Sequence, residues 1–500
     1  MIQQKDISSD RQSSYRNIFK ATSLFGGVQV YQILISVIKS KVIALLLGPL
    51  GLGILGLFTS ATELVKQITS FGLAQSAIRD VSEASGCGDT NRINVVITVL
   101  RKIIWITGLL GAFVLMIFSS LLSKMTFGNN DYTVSFIILS IIILFDQLCA
   151  GQKVILQGMR KLKDLAKATI MGSTIGLILS IPLYYIFGLN GIVPTLILNS
   201  ITSFLLSWYF SRKVTLEKVS VTPGIVMRES ANMLKMGIAM SISGILVSAC
   251  SYVLRGFIRQ WGGTESVGLF QAGFFIINSY VGLIFTAMST DYYPRLAAVN
   301  KDNEKCRDII NKQGEIATLI MAPLLTICLV FMPFCVELLY SKQFVSANDY
   351  IMWATLGMMF KLASWLVSFQ FIAKAESKLF IINEIISNVY CLILNMVGYK
   401  LLGLAGLGIS FTLSYLIYFF QVFLIAKNKY SFSFCRQFLR LYSIQFLLVV
   451  FCLILSFLLS GWSRYVFGGF VILLSCFVSL YGLERRINVI SIVKKTFKDN

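Results

Sequence analysis

The stretch Lys39-Ser-Lys-Val-Ile-Ala-Leu-Leu-Leu-Gly48-Pro-Leu-Gly-Leu-Gly53 ends one apolar window, 20 to 47, and leads into the next, 52 to 78. Each window is long enough to cross about 30 Å of hydrocarbon as a helix, and Gly48 marks the turn between them. Lipid cannot satisfy open backbone groups, so apolar runs of this length must be helical. Working outward, further windows fall at 102–122, 133–152, 168–187, 191–211, 235–260, 266–290, 316–339, 350–373, 379–399, 404–426, 441–460 and 464–483. The reading is an all-α polytopic membrane protein of about 14 transmembrane helices. The composition agrees: 56% hydrophobic and 13% charged residues with a mean hydropathy of +0.77 lie outside the soluble globular range. A transmembrane barrel is excluded.

A net charge of +21 would point to nucleic acid in a soluble protein, but here retention of Lys and Arg in cytoplasmic loops explains it, and no nucleic acid is expected. With the N-terminus inside, 34 of the 44 Lys and Arg fall in cytoplasmic segments. Lys124, Arg259, Lys342, Lys400 and Arg464 fall outside, and Lys39, Lys41, Lys66, Arg255 and Lys361 fall within spans. The first 20 residues have neither an apolar h-region nor a cleavage site, so no signal peptide is expected and both termini are placed in the cytoplasm. Ten cysteines, Cys87 among them, include no C-x-x-C pair, and most sit in apolar runs where Cys packs as a small hydrophobe; neither disulfides nor zinc are expected. The outside loops are short, the longest running from about Ser123 to Tyr132. The inside segments Arg212 to Lys235 and Tyr292 to Glu315 read as long loops able to lie on the membrane surface.

The Gly48 segment also returns at an offset of 215 residues. Asn17 and Lys20 recur as Asn232 and Lys235, Gly48 and Gly53 as Gly263 and Gly268, Arg92 as Arg307, Gly188 and Gly191 as Gly403 and Gly406, and Arg212 as Lys427. One offset holding at the start, middle and end of each half implies two six-helix repeats of parallel topology. The expected organisation is a cytoplasmic tail at 1–16, an N-lobe at 17–231, a C-lobe at 232–446, an additional helix pair at 447–483 whose first helix starts near 441, and a cytoplasmic tail at 484–500.

Ionisable groups inside spans usually face a water-filled cavity or a partner, because burying them in lipid costs a few kcal/mol each. Lys39, Lys41, Lys66, Arg255 and Lys361 are the candidate substrate-binding groups, and Glu63 and Asp146 are the candidates for coupling an ion. Under the 215 offset Asp146 coincides with Lys361, and Lys39 lies near the depth of Arg255. A structural reading stands beside this one: Lys39 and Lys41 snorkel to the interface, and Glu63 with Lys66 form a self-neutralising i, i+3 pair. Five basic groups against two acidic ones would make a cavity net positive and favour an anionic substrate. Asn278 and several other amides within spans hydrogen-bond a sugar or join neighbouring helices.

Enzyme function has little support. The chain contains no His, the commonest general base and metal ligand. No external loop is large enough for a sugar-transfer site, and no G-x-x-x-x-G-K-[ST] motif is present, so no nucleotide, metal or other cofactor is expected.

The Lys39–Gly53 segment, the matching Gly262-Gly-Thr-Glu-Ser-Val-Gly268-Leu-Phe-Gln271, and Tyr292-Tyr-Pro-Arg295 resemble polysaccharide and O-antigen flippases of the multidrug, oligosaccharidyl-lipid and polysaccharide exporter superfamily. The resemblance covers nearly the whole chain. It implies two lobes around a cavity with alternating access, MATE-like in architecture, that carry an undecaprenyl-diphosphate-linked oligosaccharide from the cytoplasmic to the periplasmic leaflet of the bacterial inner membrane. Partners implied are the lipid-linked oligosaccharide, membrane lipids, and a polysaccharide polymerase and glycosyltransferases of the same route. The last helix pair is similar to fourteen-helix members such as lipid II flippases. The alternatives are a multidrug cation antiporter of the same superfamily, which the charge sign opposes, and a membrane polymerase or glycosyltransferase, which the missing His and short loops oppose.

Overall fold

A computed structural model describes the backbone of residues 2–86, 89–214, 223–374 and 376–487, and the side chains of most of these from Gly27 onward. Cys87, Lys494, Lys495 and the side chains of Asn17, Lys20 and Asn232 lie outside the described residues. The described chain is helical throughout. Its α-helices are α1 Ile2–Thr69, α2 Leu73–Gly86, α3 Thr90–Ile117, α4 Ser119–Phe127, α5 Thr133–Gly158, α6 Leu162–Phe187, α7 Ile192–Ser211, α8 Pro223–Phe275, α9 Leu283–Ala298, α10 Asn303–Leu339, α11 Asn348–Ala373, α12 Ser377–Tyr430, α13 Arg436–Leu458 and α14 Trp462–Ile487.

Among the described residues ten helical segments are long and apolar enough to cross a membrane, and four of them are too long to do so once: Gly27–Thr69, Leu162–Ser211, Ser241–Ala298 and Lys378–Tyr430, of 43, 50, 58 and 53 residues. At 1.5 Å per residue these measure roughly 65 to 87 Å against a hydrocarbon core of about 30 Å. Each is bent at a glycine with positive φ: Gly48 (φ 62°, ψ −166°), Gly188 (53°, −129°), Gly263 (79°, 174°) and Gly403 (59°, −135°). These are two pairs spaced by 215 residues, and each pair shares one backbone conformation that a side chain resists. The 215-residue spacing of these glycines is therefore matched in their dihedral angles. It extends to the contacts behind the turns: a Cβ on Gly191 would strike the carbonyl of Leu183, and one on Gly406 the carbonyl of Gly398, again 215 residues apart.

Gly403 itself is surrounded by open space, with nothing within 4 Å of a Cβ added there. Gly403→Ala is therefore expected to act through backbone strain alone and to cost about 1–3 kcal/mol. Gly406→Ala, which adds a collision with backbone, should cost more. Thermal unfolding of the two purified variants, followed by intrinsic fluorescence, checks the order.

The chain divides into two compact units, Met1–Gln260 and Trp261–Asn500. In the first, Leu73, Ala77 and Val81 of α2 pack with Val96, Leu100 and Ile104 of α3 and with Leu148 and Ile155 of α5. The segment 235–260 of α8 belongs to this unit. Gly237 lies against the Phe71–Gly72 backbone, Tyr252 Oη is 2.8 Å from Thr126 Oγ1, and the Arg259 guanidinium covers Gly128. Arg92 adds an ion pair to Glu229 at 2.8 Å.

In the second unit α11 is the most enclosed span, 67% buried in its most apolar stretch, whereas α13 and α14 are each 28% buried and present apolar faces outward.

Three details depart from the sequence windows. The 52–78 window is broken after Thr69, where Phe71 and Gly72 take positive φ (49° and 62°) and α2 begins a separate helix. The Ser123–Tyr132 stretch begins within α4 instead of forming a loop throughout. Tyr292 to Glu315 is mostly helix, the end of α9 and the start of α10, interrupted only at 299–302, where the Asp302 carboxylate caps α10 by accepting the amides of Glu304 and Lys305. The Lys305 amide, joined by the Lys305 ammonium at 3.3 Å and the Glu304 amide, holds the Asp302 carboxyl below its usual range.

Candidate functional site

Four of the charged groups within the spans mark two local sites, Glu63, Lys66 and Asp146 in the first unit and Lys361 in the second. In the first unit α1 carries Glu63 and Lys66 one turn apart, and α5 carries Asp146. Lys66 Nζ lies 2.8 Å from Glu63 Oε2 and 3.4 Å from Asp146 Oδ2. The remaining carboxylate oxygens are also occupied, since Gln67 Nε2 donates to Glu63 Oε1 at 2.8 Å and Ser200 Oγ donates to Asp146 Oδ1 at 2.6 Å. Two carboxylates share one ammonium, and the cluster as a whole is net negative. Lys66 is thus engaged by carboxylates on two helices.

In the second unit Lys361 sits on the enclosed helix α11. Its Nζ lies 3.1 Å from Asn278 Oδ1 and over three aromatic rings, with centroids at 5.8 Å for Phe285, 5.8 Å for Phe411 and 5.2 Å for Tyr415. Ring faces attract a cation at these distances. Among the described residues no carboxylate forms an ion pair with Lys361. Asn278 is presented by a wide helical turn, Ile276–Val281, in which the Gly282 amide reaches back to the Ile277 carbonyl at 3.1 Å. Turns of this kind are rare and recur at functional sites. Gly282 is required there, because a Cβ would strike the Asn278 carbonyl.

The two sites occupy equivalent positions of the repeat. Adding 215 to Glu63, Lys66, Asp146 and Ser200 gives Asn278, Val281, Lys361 and Tyr415. Acid becomes amide, cation becomes valine, acid becomes cation, and the hydroxyl that bonds the acid becomes the ring that faces the cation. The first site is a carboxylate pair with its counter-ion; the second is a cation held by neutral groups. Sequence reasoning singled out Glu63, Asp146 and Lys361 but passed over Ser200 and Tyr415 and read Asn278 as an ordinary intramembrane amide. Applying the offset to Glu63 would have found Asn278; no signal in the sequence marked Ser200 or, through it, Tyr415.

The other candidates are Arg255, Lys39 and Lys41, all in the first unit. Arg255, 8% exposed, donates to the carbonyl of Ser251 at 3.2 Å and to the Ser251 hydroxyl. Lys39 and Lys41 are partly buried in the first unit, and among the described residues Lys39 makes no ion pair.

A family model described as "Polysaccharide biosynthesis protein" matches residues 42–349, which is more than half of the chain and includes Gly48, the carboxylate site, Gly263 and Asn278. The chain belongs to this polysaccharide biosynthesis family. Lys361 and Tyr415 lie beyond the matched segment of the family model. The chain is 20% identical over 394 residues to the "Lipid III flippase" of Escherichia coli strain K12, covering 76% of this chain and 91% of that relative. Its fold is similar to a solved structure of lipid II flippase MurJ in an inward closed conformation, with a TM-score of 0.68 and 15% identity over 94% of this chain and 99% of that one. It is similar also to an inward-facing multidrug resistance MATE family transporter, with a TM-score of 0.66 and 18% identity over 81% and 94% of the two chains. Family and fold agree with the superfamily resemblance carried by the Lys39–Gly53 segment.

Proposed function

We propose that this member of the polysaccharide biosynthesis family is a flippase that moves an undecaprenyl-diphosphate-linked oligosaccharide, an O-antigen or related surface polysaccharide unit, from the cytoplasmic to the periplasmic leaflet of the bacterial inner membrane. The observation that carries the reading is Lys361. An ammonium enclosed within a membrane protein, held by an amide and aromatic rings and in no ion pair among the described residues, has electrostatic capacity left over, and a diphosphate supplies the missing charge. Within the first unit, Lys39 and Arg255 are proposed as further contacts for an anionic substrate, with Lys41 near the helix end; Lys66 is already matched by the Glu63 and Asp146 carboxylates on two helices. Those two carboxylates are the proposed seat of ion coupling. Fourteen crossings follow if the four overlong segments are divided at Gly48, Gly188, Gly263 and Gly403. An even number would return the chain to its starting side, and Arg485 and Arg486 at the end of α14 support the reading of that side as cytoplasmic.

The second reading, a cation antiporter, draws support from the net negative cluster of Glu63, Lys66 and Asp146. One preparation distinguishes the two. Purified protein in proteoliposomes is given a fluorescent polyprenyl-diphosphate disaccharide, whose leaflet is read with an impermeant quencher, and in parallel a cationic dye under proton and sodium gradients. The proposal expects protein-dependent exchange of the diphosphate lipid and none of the dye. Dye movement without lipid exchange would reverse the assignment.

A further inference from the structure

We infer that the second unit carries a separate binding site for an anionic glycerophospholipid, formed where α10, α13 and α14 meet near the end of the last helix. A cavity of about 970 Å³ lies there, lined by six basic side chains against three acidic ones. Two of the acids are already matched: Glu315 Oε2 accepts from Arg486 at 2.5 Å, and Asp308 pairs with Lys312 at 2.7 Å. Arg307 of α10, Arg440 of α13 and Arg485 of α14 also line it, and among the described residues none of the three is in an ion pair. Three guanidiniums from three helices lining one cavity offer donors suited to a phosphate, which can accept several at once.

The apolar side of the cavity identifies the phosphate as that of a lipid. Ile444 and Tyr481 line its wall. From Arg440 an exposed stripe continues along one face of α13 through Ile444, Leu447, Phe451 and Ile454 (40, 64, 51 and 48% exposed). On α14 an exposed stripe of Phe470, Leu474, Phe477 and Tyr481 (68, 40, 68 and 65%) leads to Arg485. Spacings of three and four residues keep each stripe on one face with its arginine at one end. Ile444 to Ile454 is ten residues, roughly 15 Å of helix, which is about half of a 30 Å hydrocarbon core and so the depth of one leaflet. A basic rim over one leaflet's depth of open apolar surface is complementary to an anionic headgroup with its acyl chains. Lys361 does not line this cavity, so the site is independent of the proposed transport site.

The test titrates the full-length protein in detergent with phosphatidylglycerol, phosphatidylcholine or inorganic phosphate and follows the rise in Tm. Phosphatidylglycerol is expected to stabilise the protein with saturation, while phosphatidylcholine and inorganic phosphate at the same concentrations are not. Each of R307Q, R440Q and R485Q should weaken the response about fivefold, and the triple variant about a hundredfold. Lys102→Gln, which removes an exposed charge from α3, should leave it unchanged. If the triple variant does not fold, the three single variants decide. Equal half-saturation in wild type and the arginine variants would overturn the site, as would an equal response to phosphatidylcholine; stabilisation by inorganic phosphate alone would assign the cavity to a soluble anion and overturn the lipid.

Discussion

Asn278→Asp is expected to make the protein more stable and to stop transport. The substitution barely changes shape, and it converts the amide oxygen 3.1 Å from Lys361 Nζ into a carboxylate. The second site would then carry an acid where the first repeat carries Glu63. An enclosed ammonium without a counter-charge is costly, so supplying one stabilises by about 1–3 kcal/mol. That is less than the 3–5 kcal/mol lost on breaking a formed buried pair, because the new carboxylate must itself be dehydrated. Function should move the other way. A lysine neutralised within the protein no longer attracts a diphosphate, and substrate can bias a conformational equilibrium only through unequal affinity for its states. Thermal unfolding and diphosphate-lipid exchange, measured on one preparation, check both signs. A variant that is more stable and equally active would show that Lys361 holds the fold and does not meet substrate.

Lys361→Met separates the same two roles from the opposite direction. Met keeps the length of the side chain and its contact with Phe285, Phe411 and Tyr415 while removing the charge, and thioethers pack well against rings. Stability should hold or rise, because a desolvated charge has been withdrawn. Exchange of the diphosphate lipid should fall by the worth of a charge-assisted hydrogen bond, about 1.5–3 kcal/mol, which is roughly 10- to 150-fold in rate. Loss of folded protein would mean that the cage depends on its cation. Full activity at equal abundance would remove the basis of the transport assignment.

The architecture was legible in the sequence because membrane helices declare themselves by length, and because a turn between two of them needs a residue free to take positive φ. Gly48, Gly188, Gly263 and Gly403 satisfy both conditions, and their common spacing carried the repeat. The break at Phe71–Gly72 was not legible. Its flanks stay apolar enough to extend the 52–78 window, and the reason for the break is tertiary, since Gly72 must let the Gly237 backbone approach. Membership of 235–260 in the first unit is tertiary in the same way, resting on Tyr252, Arg259 and Gly237. At the candidate site individual charges were visible but their pairing was not, because the separation of Lys66 and Asp146 along the chain says nothing of the 3.4 Å between them. Asn278 was hidden by its own ordinariness: an amide in an apolar helix has a dozen structural uses, and only its position opposite Glu63 in the repeat marks it out.

The four glycine turns also bear on how the protein is made. Those at Gly188 and Gly403 bring together residues close in sequence, as when Gly191 meets Leu183 and Gly406 meets Gly398. Closing so short a loop forfeits little chain entropy, and local contacts form early and fast. These two helical pairs can therefore assemble as they leave the ribosome, before later segments have been synthesised. Damage to a turn would then surface first as lost yield during biogenesis, with the molecules that do complete insertion working normally.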